Sequence, residues 1–384
     1  MDVGFVSNVV YPHTTGGAEK RIYEIARRLA ADGHSVTQYS RRYWESEGPT
    51  HRDGVRFEAI APGRELYSGD RRSIPEAVGF GVRSIGPLRR LFQQHDIVHA
   101  SVFPYFPVLG AALARATAGP TAAPLVTTWH EVWDEYWEEY LGRLAPFGKL
   151  VERATGRVAQ HPIAISELTA GRLERLGQPA PHIVPNGIDV EGIRSVDPAS
   201  DGFTVLYAGR LIPEKSVGLA ISAFERLAAT RPDITFGIVG EGPERRALQA
   251  QAAETACADR IEFLGFLEEH RSVLAQMQAA EVFCSPSERE GFGITYLEAL
   301  AAGCIVVGAD HEHSAASEVI GDGGLVVEPT ERALVEALER ALERDTDLDP
   351  EQQAAAFDWD RIADRTLSVY QSALQSGTGG ESPS

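Results

Sequence analysis

The chain has 384 residues, of which 43% are hydrophobic, and its formal net charge is −19 at pH 7. This length allows two hydrophobic cores, since single cores stop growing at roughly 250 to 300 residues. The longest apolar run, FPYFPVLGAALA, is too short to cross a bilayer, and the three cysteines lack metal-binding spacing. We expect a two-domain cytoplasmic protein with no signal peptide, disulfide framework or zinc site.

Short β-rich runs alternate with amphipathic helical patterns along most of the chain. In the N-terminal half the β-rich runs are DVGFVSNVV, DIVHAS, PLVTTWH and HPIAIS. After the polar segment RSVDPASDG the pattern restarts with FTVLYAG, ITFGIVG, IEFLGF, VFCSPS, CIVVGA and GLVVEP. This alternation is typical of parallel sheets with crossover helices. We predict two Rossmann-like α/β domains, residues 1–190 and 200–356, joined by a linker near residues 188–202.

The C-terminal segment contains one more helical pattern, WDRIADRTLSVYQSAL. We predict a helix within residues 357–374. The remaining residues, 375–384, lack apolar side chains and are expected to be disordered.

The negative charge is concentrated in the second half. Residues 1–200 contain 22 Lys or Arg and 23 Asp or Glu, a balance of −1, whereas residues 201–384 contain 14 and 32, a balance of −18. Only three of the 36 basic residues are lysines, which together with the acidity suggests a halophilic source or a GC-rich genome. The window 64–95 is basic, which indicates either a solvated helical face or a surface for an anionic membrane or acceptor.

The loops that follow the strands of the second domain contain residues suited to binding a diphosphate. Ligands of open α/β sheets bind beyond the carboxyl ends of the strands. Arg210 and Lys215 follow the first strand of this domain, and Gly240 and Gly242 follow the second. Glycines let a backbone approach a ligand closely, and the two cations would bind phosphate oxygens. A tight turn and solvated cations are the structural alternatives.

The segment SEREGFGITYLEALAAG places Glu290 and Glu298 on either side of a Gly-Phe-Gly bend. The helix that begins after Gly293 would offer free backbone N–H groups to an anion. Glu298 as an exposed helical residue and Glu290 as a charge favourable to the helix dipole are the simpler interpretations. Their position beside the predicted phosphate site favours a role in binding. Together these loops predict a diphosphate site made without metal.

These segments resemble the retaining GT-B glycosyltransferases of family four, which use nucleotide-sugar donors. The motifs are VLYAGRLIPEKSVGLAISAF, VGEGPE, FLGFL and PSEREGFGITYLEALAAG in the second half, and GGAEK, TTWHEVW, AISELT and VPNGID in the first. The resemblance covers nearly the whole chain. It implies two Rossmann-like domains that face each other across a cleft, and a C-terminal helix that crosses back to the first domain.

The resemblance also implies roles for single residues. Arg210 and Lys215 would bind the donor diphosphate, Glu298 the ribose hydroxyls, and Glu290 the hydroxyls of the transferred sugar. His130 would lie against that sugar, although it also fits a loop histidine satisfied by its own structure. The remaining residues expected to bind the donor are Gly16, Gly17, Gly240, Gly242, Gly291, Phe292, Gly293 and Ile294.

The implied reaction transfers a hexose from a UDP- or GDP-sugar to an acceptor hydroxyl with retention, without metal or cofactor. The acceptor would be a glycan, a lipid-linked sugar or a small molecule, with peripheral membrane association in the lipid case, and no nucleic acid is expected. Retention would follow either a front-face route or two displacements through a carboxylate nucleophile. The open alternatives are a nucleotide-sugar epimerase of the same architecture and a non-catalytic sugar-binding relative.

Other enzyme classes fit the sequence less well. A metal-dependent glycosyltransferase needs Asp-x-Asp at a strand end, but those motifs fall in the helical C-terminal part, and an NAD(P) oxidoreductase would need G-x-G-x-x-G. His311 and His313 lie where the family usually has a Gly-rich segment, yet two histidines alone make a poor metal site. The aromatic segment 130–142 would stack on a sugar, lie at a membrane or pack on its own core.

Overall fold

The computed structural model describes residues 1–14, 16–46, 48–64, 67–68, 71–344 and 347–378. It divides into two compact units. One contains Met1–Pro185 together with the chain from Trp359 onward, and the other contains Asn186–Asp358. Each unit is built on a mainly parallel sheet with helices, which confirms the predicted α/β class with two domains. None of the described helices is long and apolar enough to span a bilayer.

The first unit contains an eight-stranded sheet in the order β10-β9-β8-β7-β1-β2-β4-β3, and only the β3–β4 pair is antiparallel. The central strands are buried on both faces because helices cover both sides, as parallel sheets require. The strands of the unit are β1 (Asp2–Val6), β2 (Ser35–Arg41), β3 (Thr50–Arg52), β4 (Val55–Ala61), β5 (Tyr67–Ser68), β6 (Arg71–Arg72), β7 (Ile97–Ser101), β8 (Leu125–Trp129), β9 (His161–Ala164) and β10 (His182–Ile183). Strands β5 and β6 form a separate antiparallel pair outside the eight-stranded sheet.

The helices of this unit follow the apolar periodicity of the sequence. In the first helix, Ile22, Ile25, Ala26 and Leu29 form a buried stripe against the sheet. The helices are α1 (Gly17–Ala31), α2 (Ile74–Gln94), α3 (Phe106–Ala118), α4 (Tyr136–Leu141), α5 (Ala145–Gly156) and α6 (Glu167–Leu176).

The second unit contains a six-stranded parallel sheet in the order β13-β12-β11-β14-β16-β18. A short parallel pair, β15–β17, lies apart from it. The strands are β11 (Val205–Ala208), β12 (Phe236–Val239), β13 (Ile261–Gly265), β14 (Val282–Ser285), β15 (Arg289–Glu290), β16 (Ile305–Ala309), β17 (His313–Ser314) and β18 (Gly324–Val327). The helices are α7 (Val190–Arg194), α8 (Val217–Ala228), α9 (Arg245–Glu254), α10 (His270–Ala279), α11 (Ile294–Ala301), α12 (Ala316–Ile320), α13 (Glu331–Glu343) and α14 (Pro350–Ala355).

Two predicted boundaries differ from the structure. The predicted linker near residues 188–202 belongs to the second unit, where Ile188 is buried and its N–H donates to the carbonyl of Phe357 at 2.9 Å. The last helix, α15 (Trp359–Thr378), includes residues 375–378, which were predicted to be disordered. The rest of the predicted tail, residues 379–384, lies outside the described part of the chain.

Helix α15 returns to the first unit, as the family resemblance implied. Its residues Trp359, Ile362 and Tyr370 are buried in the same apolar core as Phe5 of β1 and Ile22 of α1. The Tyr370 hydroxyl also lies 2.6 Å from His99 Nδ1. The end of the chain therefore contributes to the core of the unit in which the chain begins.

We predict that Tyr370→Ala destabilises the first unit by about 3 to 5 kcal/mol, because it empties a buried aromatic site and removes the partner of His99. All five tryptophans lie in this unit, so intrinsic tryptophan fluorescence during urea unfolding reports on it alone. Gln371→Ala, an exposed position on the same helix, is the matched control. An unchanged unfolding midpoint for Tyr370→Ala would show that α15 is not part of this core.

Candidate functional site

The topological switch point of the second unit lies between β11 and β14, which are adjacent and parallel. From β11 the chain builds the sheet towards β13, and from β14 it builds towards β18. The loops after these two strands are joined, since Glu288 N donates to the Glu214 carbonyl at 2.9 Å and Ser216 Oγ donates to Glu288 Oε1 at 2.8 Å. Such a switch point is the usual ligand site of an open α/β sheet.

Lys215 and Glu290 form an ion pair at this switch point. Lys215 ends a short 3₁₀ turn, Pro213–Lys215, and its Nζ donates to Glu290 Oε2. Both side chains are mostly buried, with 17% and 18% exposure. The sequence assigned them to the diphosphate and to the sugar, and the structure brings the two together. Each charge therefore helps to fix the position of the other.

Two buried tyrosines support this part of the site. The Tyr207 hydroxyl donates to the Arg210 carbonyl at 2.9 Å, and the Tyr296 hydroxyl donates to the Ser285 carbonyl at 3.0 Å. Burial raises the pKa of both phenols, and the charge of Glu290 raises the pKa values further. Both hydroxyls thus remain protonated donors, and the loop that carries the exposed Arg210 side chain is held at its backbone.

The Gly-Phe-Gly bend leads directly into α11. Gly293 has a left-handed φ of 88°, and a Cβ there would overlap the ring of Tyr296, so this position requires glycine. Gly291 precedes the buried Phe292, whose ring packs edge-on against Phe357 with centroids 6.1 Å apart. The structure thus gives Phe292 a packing role. Helix α11 begins at Ile294, shortly after Glu290 in the chain, so its first backbone N–H groups follow closely on the Lys215–Glu290 pair.

Glu298 is buried, with 5% exposure, one turn into α11. Its Oε1 lies 2.9 Å from Nε2 of His270, the first residue of α10, whose side chain is half exposed. A buried carboxylate is costly unless it is hydrogen-bonded, so the simple interpretation of Glu298 as an exposed helical residue is wrong. No pattern in the sequence indicated His270 as its partner.

Gly240 and Gly242 pack against the protein's own backbone. A Cβ at Gly240 would overlap the carbonyl oxygen of Gly209, and one at Gly242 would overlap that of Leu211. The same loops are joined by hydrogen bonds, among them Leu211 N to the Glu241 carbonyl at 2.9 Å. Contact between loops is therefore sufficient to explain both glycines, and their predicted contact with a ligand stays a prediction.

In the first unit, Gly16 and Gly17 lie at the start of α1 and are exposed. Gly16 has an extended backbone and is the N-cap of α1, and Gly17 is the first residue of that helix. A Cβ at Gly16 would overlap the carboxylate of Glu19, so an acidic side chain lies against the start of this helix. The predicted loop around an anion stays a prediction.

His130 directly follows β8 and borders a small cavity lined by Arg21, His99, Ser101 and Thr128. Its Nε2 is buried without a hydrogen-bond partner among the described residues. Burial, and then the charge of Arg21, lower the pKa of His130 to about 3, and His99 is affected in the same way. His130 is therefore neutral near pH 7. It is suited to making a hydrogen bond with a ligand and not to acting as a proton donor in catalysis.

Arg21 was missed in the sequence, although its position contains a signal. It lies on the buried side of α1 next to Ile22, where a charged residue is unexpected. Its guanidinium donates to the carbonyl of Val184 at 3.0 Å and to that of Pro185. Burial lowers its pKa to about 9, so it remains a cation at neutral pH.

The second unit also contains His311 and His313, whose rings lie 5.4 Å apart. Within the described ranges, no group of three or more His, Cys, Asp or Glu side chains is arranged to hold a metal ion.

Comparison with known proteins agrees with this architecture. Residues 15–191 match the family model described as Glycosyltransferase Family 4, and residues 191–357 match that of Glycosyl transferases group 1. The fold and the two matches define a glycosyltransferase of two Rossmann-like domains. The chain belongs to the family-four glycosyltransferases of the GT-B fold, which confirms the resemblance seen in the sequence.

Individual relatives have different activities. The chain is 29% identical to the glycogen synthase of Mycobacterium tuberculosis, over 97% of this chain and 95% of that protein. It is 33% identical to the phosphatidyl-myo-inositol mannosyltransferase of the same organism, over 59% of this chain and 62% of that protein. Anabaena HepE, solved with UDP and glucose, matches with a TM-score of 0.67 at 18% identity over 97% of this chain and 100% of that one.

Proposed function

We propose that the protein transfers a hexosyl group from a nucleoside-diphosphate sugar to an acceptor hydroxyl with retention of configuration. The main support is the Lys215–Glu290 pair at the switch point of the second unit, beside the amino terminus of α11. A cation, a carboxylate and free backbone N–H groups at one place fit a sugar diphosphate, because they match its negative phosphates and its hydroxyls.

In this proposal each residue has one task. Arg210, Lys215 and the first N–H groups of α11 neutralise the diphosphate, so that no metal is needed. Glu290 accepts hydrogen bonds from hydroxyls of the transferred sugar, and Glu298 accepts them from the ribose. In the first unit, the neutral His130 offers its unpartnered Nε2 to a sugar hydroxyl.

The proposed chemical step is a front-face substitution. The bond between the anomeric carbon and the diphosphate oxygen breaks, and the acceptor oxygen forms a bond to that carbon on the same face. The acceptor proton passes to the departing diphosphate, whose growing negative charge is stabilised by Arg210, Lys215 and the helix N–H groups. No oxidant, reductant or cofactor is consumed.

The donor is proposed to be a UDP- or GDP-hexose. The relatives include a glycogen synthase and a mannosyltransferase, and a structural neighbour was solved with UDP and glucose. Glucose and mannose donors therefore come first in a screen. The acceptor class includes glycans and lipid-linked sugars.

Calorimetric titration with nucleoside diphosphates and their hexose conjugates tests this proposal. We expect UDP or GDP to bind equally well in EDTA, and the corresponding sugar to be transferred with its anomeric configuration kept, as measured by NMR of the product. Activity that EDTA abolishes and Mg²⁺ restores would contradict the metal-free site. Epimerised free donor would identify an epimerase, and binding without turnover a sugar-binding relative.

We predict that replacing Glu298 and Glu290 by glutamine impairs different steps, donor binding in the first case and turnover in the second. Glu298→Gln should weaken binding of the bare nucleoside diphosphate and raise the donor KM, because the ribose contact exists before and during reaction. Glu290→Gln should leave diphosphate binding nearly intact, because the amide oxygen can still accept a hydrogen bond from Lys215 and hold it in place. It should lower kcat by about 100-fold, because sugar contacts that strengthen in the transition state are lost. Calorimetry and initial rates compare the variants, with the exposed Glu281→Gln as control. The reverse pattern would exchange the two roles.

We also propose that the first unit associates with anionic membranes. Helix α2 exposes Arg83, Arg89 and Arg90, whereas its one acidic residue, Glu76, is buried and paired with Arg41. The exposed face is therefore purely cationic, which favours an anionic surface. Of the other charges in the basic window, Arg64 is exposed, while Glu65 and Asp70 lie outside the described residues.

The protein should float with vesicles containing phosphatidylserine at low salt, and the floating fraction should fall as added salt screens the charges. Arg89→Ala/Arg90→Ala should weaken recovery, by about 1 kcal/mol for each arginine. Arg332→Ala, which removes an exposed arginine of the second unit, is the control. Equal partition onto neutral vesicles would contradict the proposal.

A further inference from the structure

The first unit contains an apolar pocket that none of the roles above uses. It has a cavity volume of about 60 Å³, is partly open to solvent, and lies between the start of α2, the loop after β7, and helices α4 and α5. Its walls include Ile74, Phe103, Trp137, Tyr140, Phe147 and Val151. Because these walls are almost wholly apolar, the pocket favours a ligand that gains by leaving water rather than by hydrogen bonding.

The rim of the pocket is also apolar and exposed. At the pocket, Ile74 is 42% exposed and Phe147 is 51% exposed. Leu144 and Leu150, which flank Phe147 in the sequence, are each 64% exposed. Phe147 and Leu150 are three residues apart on α5 and so share one face of that helix. Single exposed apolar residues are common, but a group of four beside a pocket indicates a binding surface.

The position of the pocket connects it to the candidate site of the first unit. Phe103 follows β7, and Trp137 belongs to the segment that begins with His130 after β8. Strands β7 and β8 are adjacent and parallel, so both loops leave the same edge of the sheet. The pocket therefore lies at the edge where His130 is placed, and ligands of such sheets bind at this edge.

We propose that this pocket binds the alkyl chain of an amphiphilic acceptor, whose hydroxyl group receives the sugar. The proposal rests on the proposed function, because an acceptor requires sugar transfer. A peptide segment fits less well, since its backbone N–H and C=O groups would be buried without partners between apolar walls. A hydrocarbon chain has no polar group to satisfy.

The aromatic segment 130–142 fits this interpretation. Trp137 is 7% exposed and packs with Tyr105 and Trp133 at centroid distances of 5.8 and 4.7 Å. Gly148 of α5 allows this packing, because a Cβ there would overlap the Trp137 ring. These aromatic residues thus form a fixed wall of the pocket, in keeping with the predicted alternative of a helix that packs on its own core.

Titration with n-alkyl β-glucosides tests the pocket. Butyl to octyl glucosides, each below its critical micelle concentration, are titrated into the full-length protein without donor. Affinity should rise by up to about fourfold for each added methylene. Phe147→Ser should flatten this dependence, and Ala77→Leu should do the same by filling the pocket. Leu113→Ser is the control, because Leu113 is 53% exposed on α3 and does not line the pocket.

Affinity that does not depend on chain length, or that is insensitive to Phe147→Ser, would overturn the proposal. A dimer that Phe147→Ser dissociates in sedimentation would also overturn it, since a second copy would then cover the rim. With a donor identified, chain length should lower the acceptor KM at constant kcat, and no effect on transfer would refute the acceptor role. Failure of the proposed function is distinguishable, because nucleoside diphosphates would then not bind while the alkyl series still does.

Discussion

The adjacency of β11 and β14 is the constraint on which the site of the second unit depends. From these two strands the chain builds the sheet in opposite directions, so no crossover helix covers the gap between their ends. The loops can then meet, and the hydrogen bond from Glu288 N to the Glu214 carbonyl fixes them together. Lys215 and Glu290, 75 positions apart in sequence, become partners only through this arrangement. The left-handed Gly293 then turns the chain from this pair into α11.

In the first unit, buried polar groups are also held in place by hydrogen bonds, and their burial costs free energy. Placing Arg21 and His99 in the interior is unfavourable, and their hydrogen bonds to backbone carbonyls, Thr128 and Tyr370 offset part of that cost. Burial, and then the charge of Arg21, lower the pKa values of the neighbouring His99 and His130 and keep both imidazoles neutral. The cavity beside His130 has a volume of about 10 Å³, which is room for about one water molecule, so it does not itself hold a sugar or a phosphate.

The sequence predicted the fold well where one local pattern determines it. Buried parallel strands and amphipathic helices each have such a pattern, whereas the return of α15 was inferred only from family resemblance. The segment RSVDPASDG looked like a linker because surface loops and linkers share a composition, yet the second unit begins at Asn186. The pairs Lys215–Glu290 and His270–Glu298 were not predicted, because no local signal links residues so far apart. At Gly240 the sequence indicated close approach but could not say to what, and the structure shows Gly209.

The ion pair at the switch point does not compete with a phosphate ligand. An ammonium group has three donors, so Lys215 can keep its bond to Glu290 and still donate to phosphate oxygens. Glu290 in turn holds a flexible four-carbon side chain in place, which reduces the entropy lost when a ligand binds. Of the negative charge in residues 201–384, the part more than about 8 Å away is largely screened at physiological salt. Glu290 and Glu288 lie beside Lys215 and act on an anion directly, so the affinity of the site depends on Arg210, Lys215 and the first N–H groups of α11 outweighing these two carboxylates.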